Sequence, residues 1–214
     1  MTNLYGETHR QVQAGQNSRP LADLIGSLVH PVLTDEERAF VTSRDFFFLA
    51  SVDGEGRPTV SYKGGPPGFV RVIDASTLEF PIYDGNGMYL SAGNVAGNEQ
   101  VGLLFIDFET PNRLRVQGAA RLAQEGLDAF PGARLLVRVD VRHVFVNCGR
   151  YIHKHVRVAQ AAHVPDAMGV QPIAAWQRID SVQSALPPQT QAAAAKAGLI
   201  SPQTYAEMVK RGEA

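Results

Sequence analysis

Arg57-Pro58-Thr59-Val60-Ser61-Tyr62-Lys63-Gly64-Gly65-Pro66-Pro67-Gly68 is the stretch on which the fold turns. Side chains of a strand alternate between its two faces. Arg57, Thr59, Ser61 and Lys63 therefore share one face, and Pro58, Val60 and Tyr62 share the other. The Gly-Gly-Pro-Pro-Gly run that follows breaks the alternation and makes a stiff loop. Just upstream, Phe46-Phe47-Phe48-Leu49-Ala50-Ser51-Val52 is aromatic and β-favouring, and Asp53-Gly54-Glu55-Gly56 supplies the turn of a hairpin. The polar face of the return strand is either solvated or lines a site.

Working outward, Thr34-Asp35-Glu36-Glu37 is a capping box that predicts a helix running to about Ser43. Residues 1–33 read as an arm, polar at first and then amphipathic through Leu21, Leu24, Ile25 and Leu28. Downstream, Phe69 to Asp74 and Leu78 to Ile82 form a second short hairpin. After the turn Asp84-Gly85-Asn86-Gly87, a helix is expected from Met88 to Gly97, with Ser91, Asn94 and Asn98 as a polar stripe. Val101 to Asp107, Arg113 to Leu122 and Leu135 to Val146 are further strands, the last with a change of phase near His143 that predicts a bulge or a bend. Beyond Asn147 the chain is loop-like until a final helix at Ser201, with Pro202 in its first position. Six or seven short strands with one inserted helix predict a mainly β (α+β) protein, a closed antiparallel barrel or a sandwich.

Charge and composition exclude several functions. The formal net charge is −1 with no basic block, which argues against nucleic-acid binding. No apolar run approaches the roughly 20 residues of a membrane helix, and residues 1–31 hold no apolar core of a signal peptide. With a single cysteine, Cys148, no internal disulfide is possible, so a cytoplasmic protein is expected. Cys148, His153, His155 and His163 fit no structural-zinc spacing; no metal site is expected, and Cys148 reads as a small buried residue.

Several segments in order resemble the FMN-binding split barrels related to pyridoxamine 5′-phosphate oxidase. They are Ser61 through Val70, Tyr83-Asp84-Gly85-Asn86-Gly87-Met88, Ser91-Ala92-Gly93-Asn94, Asn98 through Phe105, and Arg113 through Gly118. A later piece, Asn147-Cys148-Gly149-Arg150-Tyr151-Ile152-His153-Lys154, looks like the tail of an uncharacterised branch of that family. The resemblance implies a six-stranded antiparallel split β-barrel with flanking helices, a homodimer, and FMN at the interface. It divides the chain into an arm (1–33), an FMN-binding barrel domain (34–164) and a C-terminal extension ending in a helix (165–214).

The cofactor-binding residues it implies are Ser61, Tyr62 and Lys63 on the strand, then Asn86, Gly87, Met88, Ser91 and Asn94 around the phosphate and ribityl chain. Arg113 and Arg115 are implied to approach the flavin of the other subunit. The chemistry of these residue types agrees, since a phosphate needs positive charge and several N–H or O–H donors. The implied activity is that of an FMN-dependent oxidoreductase taking electrons from a small molecule, with the flavin carrying the chemistry and no catalytic side chain assigned. His153 is the candidate if an acid or base is needed. Pro58 stands where the true pyridoxamine oxidases carry arginine, and Leu90 or Gly93 where relatives carry arginine or lysine, so pyridoxamine phosphate is not the expected substrate. A flavin sensor or carrier, and a haem-binding relative using His143, His153 or His155, are the alternatives.

Overall fold

The computed structural model describes residues 4–213. Two separately compact units divide the chain, residues 1–160 and 161–214. In the first, α1 (Glu7–Gly15), α2 (Arg19–Ser27) and α3 (Asp35–Ser43) precede the strands β1 (Phe46–Val52), β2 (Pro58–Gly64), β3 (Arg71–Asp74) and β4 (Thr77–Tyr83). Then come α4 (Leu90–Gly97), β5 (Gln100–Asp107), β6 (Asn112–Ala123) and β7 (Ala133–Val146). The strands form one antiparallel sheet in the order β2-β1-β5-β6-β7-β4-β3. It has seven strands rather than the six the resemblance implies. The seventh is β3, a four-residue edge strand paired only with β4.

The sheet is rolled. β1 and β4 are four strand spacings apart, about 19 Å in a flat sheet, yet the rings of Phe47 and Phe80 meet edge to face at 4.9 Å. Phe105 on β5 and Phe69 complete the cluster, 5.2 and 5.9 Å from Phe47. Leu49, Leu78, Leu103, Val116, Val137 and Val139 fill the space between, all fully buried. Phe69 and Val70, expected in a strand, instead leave the sheet and plug this core from the loop before β3.

Local chemistry explains the element ends. The Thr34 hydroxyl accepts from the Glu37 amide at 3.2 Å, and the Glu37 carboxylate accepts from the Thr34 amide at 2.9 Å, the reciprocal cap of α3. The register of β6 and β7 jumps from Gln117↔His143 to Gly118↔Val141, which leaves Arg142 unpaired and gives the expected bulge. At α4 the helix begins at Leu90 and not at Met88, because Gly87 and Tyr89 both have positive φ. Residues before Ser27, read as an arm, contain two helices, and Leu21, Leu24 and Leu28 are each more than 60% exposed.

The second unit holds 3₁₀ turns at Ala175–Arg178 and Asp180–Ala185, then α5 (Pro188–Ala197) and α6 (Pro202–Arg211). Ser201 caps α6 through the Thr204 amide at 3.1 Å, with Pro202 in the first turn as expected. α5 was hidden by its alanine-rich, patternless composition. Among the described residues no helix is long and apolar enough to cross a membrane.

Gly118 marks the tightest point of the roll, since an added Cβ would lie 2.4 Å from the Asp140 carbonyl oxygen. Gly118→Ala should therefore lower stability by about 1–3 kcal/mol in urea melts, whereas Gly54→Ala, with nothing near its Cβ position, should not.

Candidate functional site

The pairing of β1 with β2 decides where the polar face of β2 goes. Phe47 lies opposite Lys63 and Leu49 opposite Ser61, so Lys63 and Ser61 share the inner face with the core. Phe48 lies opposite Tyr62 and Ala50 opposite Val60, so these look outward. The usual burial is thus inverted: Val60 and Tyr62 are 67% and 63% exposed, while Ser61 and Lys63 are partly buried. A strand that hides its lysine and shows its valine is built around a site.

A cavity of about 450 Å³ lies there, between residues 59–63 of β2 and residues 82–92, the end of β4 through the first turn of α4. Ser91 closes it and is itself buried. Its hydroxyl is 2.8 Å from that of Ser61, and it accepts from the Lys63 ammonium at 3.1 Å. Among the described residues, no carboxylate forms an ion pair with Lys63. Burial disfavours its charged form and pulls its pKa below the ordinary lysine value. Tyr83, on the opposite wall, has its phenol pushed up, again by burial.

The first turn of α4 adds donors. Its N-cap residue, Tyr89, makes no side-chain cap and sits in the left-handed region at φ 47°, ψ 30°. For a tyrosine that conformation costs about 1–2 kcal/mol. The amides that begin α4 are left without the side-chain acceptor that Thr34 gives α3. Ahead of them, the Asn86 carboxamide oxygen accepts from the Met88 amide at 3.1 Å and Gly87 turns at φ 75°, so backbone lines the mouth.

Of the residues expected to bind cofactor, Ser61, Lys63, Asn86, Gly87, Met88 and Ser91 all line this cavity. Tyr62 touches its rim, but its ring is stacked on Phe46 at 5.4 Å on the outer face. Asn94 is turned away: it is buried, and its amide donates to Ser51 on β1 at 3.0 Å, fastening α4 to the barrel. Arg115 lies on the outer face with Tyr62, Phe48 and Leu104, through the pairs Phe48↔Leu104 and Leu104↔Arg115. Arg113 donates to the Cys148 carbonyl at 2.9 Å and borders a different hollow, beside Glu36 and Phe40 of α3. Tyr151, His153 and Cys148 are exposed on the segment after β7 and do not line the cavity; Cys148, expected buried, is not. Tyr83 and Tyr89 line the cavity without having been singled out, and Tyr89 carries no sequence signal for its unusual backbone.

Residues 33–148 match the family model of pyridoxamine 5′-phosphate oxidase, and the chain belongs to that family. Solved structures that resemble the chain do so at low identity. HupZ from Group A Streptococcus is 18% identical with a TM-score of 0.44, covering 53% of this chain and 93% of that one. The heme storage protein HutZ from Vibrio cholerae is 22% identical with a TM-score of 0.39, over 53% and 94%. An FMN-binding protein from Syntrophomonas wolfei is 11% identical with a TM-score of 0.43, over 64% and 97%. No curated protein matches the chain in sequence.

Lys63 also makes the site titratable. Its lowered pKa means that the unfolded chain binds this proton more tightly than the folded one. Stability therefore rises with pH between that lowered value and about 10.4, the unfolded value. While the lysine is protonated, its buried charge costs the fold. Lys63→Met should raise the Tm of the ligand-free protein and flatten that alkaline rise, read by thermal melts across pH.

Proposed function

We propose that this chain is an FMN-binding oxidoreductase that works as a cytoplasmic homodimer and takes electrons from a small-molecule donor. One observation carries the reading: a partly buried lysine, without a carboxylate partner among the described residues, donates to the Ser91 hydroxyl, which in turn meets that of Ser61, beside a helix start that has no side-chain cap. That donor set fits an oxyanion such as a phosphate, because charge-assisted bonds to N–H and O–H donors are what phosphate recognition requires. Lys63, Ser61 and Ser91 would hold the phosphate, and the backbone of Asn86, Gly87 and Met88 the ribityl chain. Ile82, Tyr83 and Leu90 give the cavity an apolar side for the ring. When bound, the flavin supplies hydride and electron transfer. Lys63, Ser61 and Ser91 would fix its phosphate, and the apolar side of the cavity would keep water from the ring.

The outer sheet face supports the dimer. Tyr62, Phe46 and Phe108 are stacked at 5.4 and 5.7 Å with nearly parallel rings, beside exposed Val60 and Ala50. An exposed aromatic and aliphatic face on an edge strand is the kind of surface that subunit interfaces bury. Arg115 lies on this face, so any part it plays in holding flavin is played across the interface. The haem reading has less support, because His143, His153 and His155 are not among the residues lining the cavity.

The purified protein, mixed with FMN and freed of the excess, should keep a flavin absorption spectrum. Lys63→Met should weaken FMN about 10- to 100-fold, the value of one hydrogen bond to a charged group. A wild-type protein that stays colourless with FMN but gains a Soret band with haem would reverse the reading. In sedimentation at micromolar concentration the wild type should run as a dimer, and Val60→Asp together with Tyr62→Asp should shift it to monomer.

A further inference from the structure

Tyr89 concentrates two local costs in one residue. Among the described residues only Asn17 and Tyr89 have positive φ without being glycine, and asparagine tolerates that region whereas tyrosine does not. Tyr89 also holds the N-cap of α4, where it forms no side-chain hydrogen bond, while Thr34 and Ser201 both cap their helices. An asparagine would relieve the backbone cost, since it accepts the left-handed region. The chain keeps a tyrosine there instead, and it lines the cavity two residues before Ser91. Met88 and Leu90 on either side are 67% and 47% exposed, so the strain is not repaid by burying its neighbours in the core. Backbone strain of this kind collects where a site over-determines a residue.

We infer that Tyr89 is the specificity-determining residue of this site: its ring packs against the organic part of a phosphate-bearing ligand and separates such ligands from free phosphate. Tyr89 lines the cavity and is itself 43% exposed, so its ring is open to a ligand rather than spent on the core. Lys63, Ser61 and Ser91 bond only to the phosphate and treat organic and inorganic phosphate alike. Discrimination must come from contact beyond the phosphate, and an aromatic ring supplies the largest area for it. The inference rests on the phosphate site proposed above, and only through it on the flavin.

The test compares the wild type with Tyr89→Asn, Tyr89→Gly and Tyr89→Phe, using ligand-free melts and calorimetric titration with FMN and with inorganic phosphate. Asparagine and glycine should raise the ligand-free Tm, weaken FMN by at least about tenfold, and leave phosphate within about twofold. Phenylalanine should keep FMN within about twofold, because the ring and not the hydroxyl makes the contact. Unchanged FMN affinity in the asparagine and glycine variants would overturn the inference, as would equal losses for both ligands. A lower ligand-free Tm in both would overturn it too, by making Tyr89 a structural residue. If the wild type takes phosphate but no FMN, the flavin reading fails, and the same ratio measured with pyridoxal 5′-phosphate decides the role of Tyr89. If it takes neither anion, the phosphate site and the inference fall together.

Discussion

Phe47 and Phe80 stand on strands separated by three others in the sheet, and their rings nevertheless touch. That contact requires the sheet to roll, and the roll creates an inside. Once there is an inside, the alternation of each strand acquires a meaning: Leu49, Leu103 and Val116 face the core, while Phe48, Leu104 and Arg115 face away. β2 is one of the sheet's two edge strands, so its inner face runs past the end of the hydrophobic filling. Ser61 and Lys63 emerge there, and α4 lies across them. The site is the place where the core stops and a polar lining takes over.

Satisfied and unsatisfied chemistry are distributed unevenly over this frame. Glu79, almost fully buried on β4, is matched by two hydrogen bonds from Arg138 on β7, and α3 has a complete reciprocal cap. At the cavity, by contrast, a lysine has no counter-charge among the described residues, and a tyrosine is held in a conformation it disfavours. Each would be a defect in a domain selected for stability alone. Together, within one hollow, they describe a surface shaped for something anionic and partly apolar.

Much of this was legible in the residues. Alternation in 57–63 separated Lys63 and Ser61 from Tyr62 correctly, the capping box at Thr34 was right, and the change of phase near His143 marked a true bulge. What alternation lacks is parity: it says that Arg115 and Val116 oppose each other, but only the pairing chain from β1 through β5 says which one is outside. Helical spacing placed Ser91 and Asn94 on one stripe, yet a stripe on a helix packed against a sheet meets two environments. Ser91 meets the cavity and Asn94 meets Ser51. The start of α4 was misread because helix propensity carries no warning that a tyrosine will take a left-handed turn. The hairpin read at Phe69 to Asp74 and Leu78 to Ile82 is β3 with β4, β3 beginning only at Arg71; the count of six came from the resemblance and leaves this edge strand out.

The unpaired charge of Lys63 has a consequence outside the site. Whatever anion settles beside it binds the folded chain and not the unfolded one, so occupancy adds directly to the free energy of folding. Empty molecules open more often than filled ones, and cellular proteases act on the open form. The amount of this protein in a cell would then follow the supply of its ligand, with molecules made in excess of that supply being the first to be degraded.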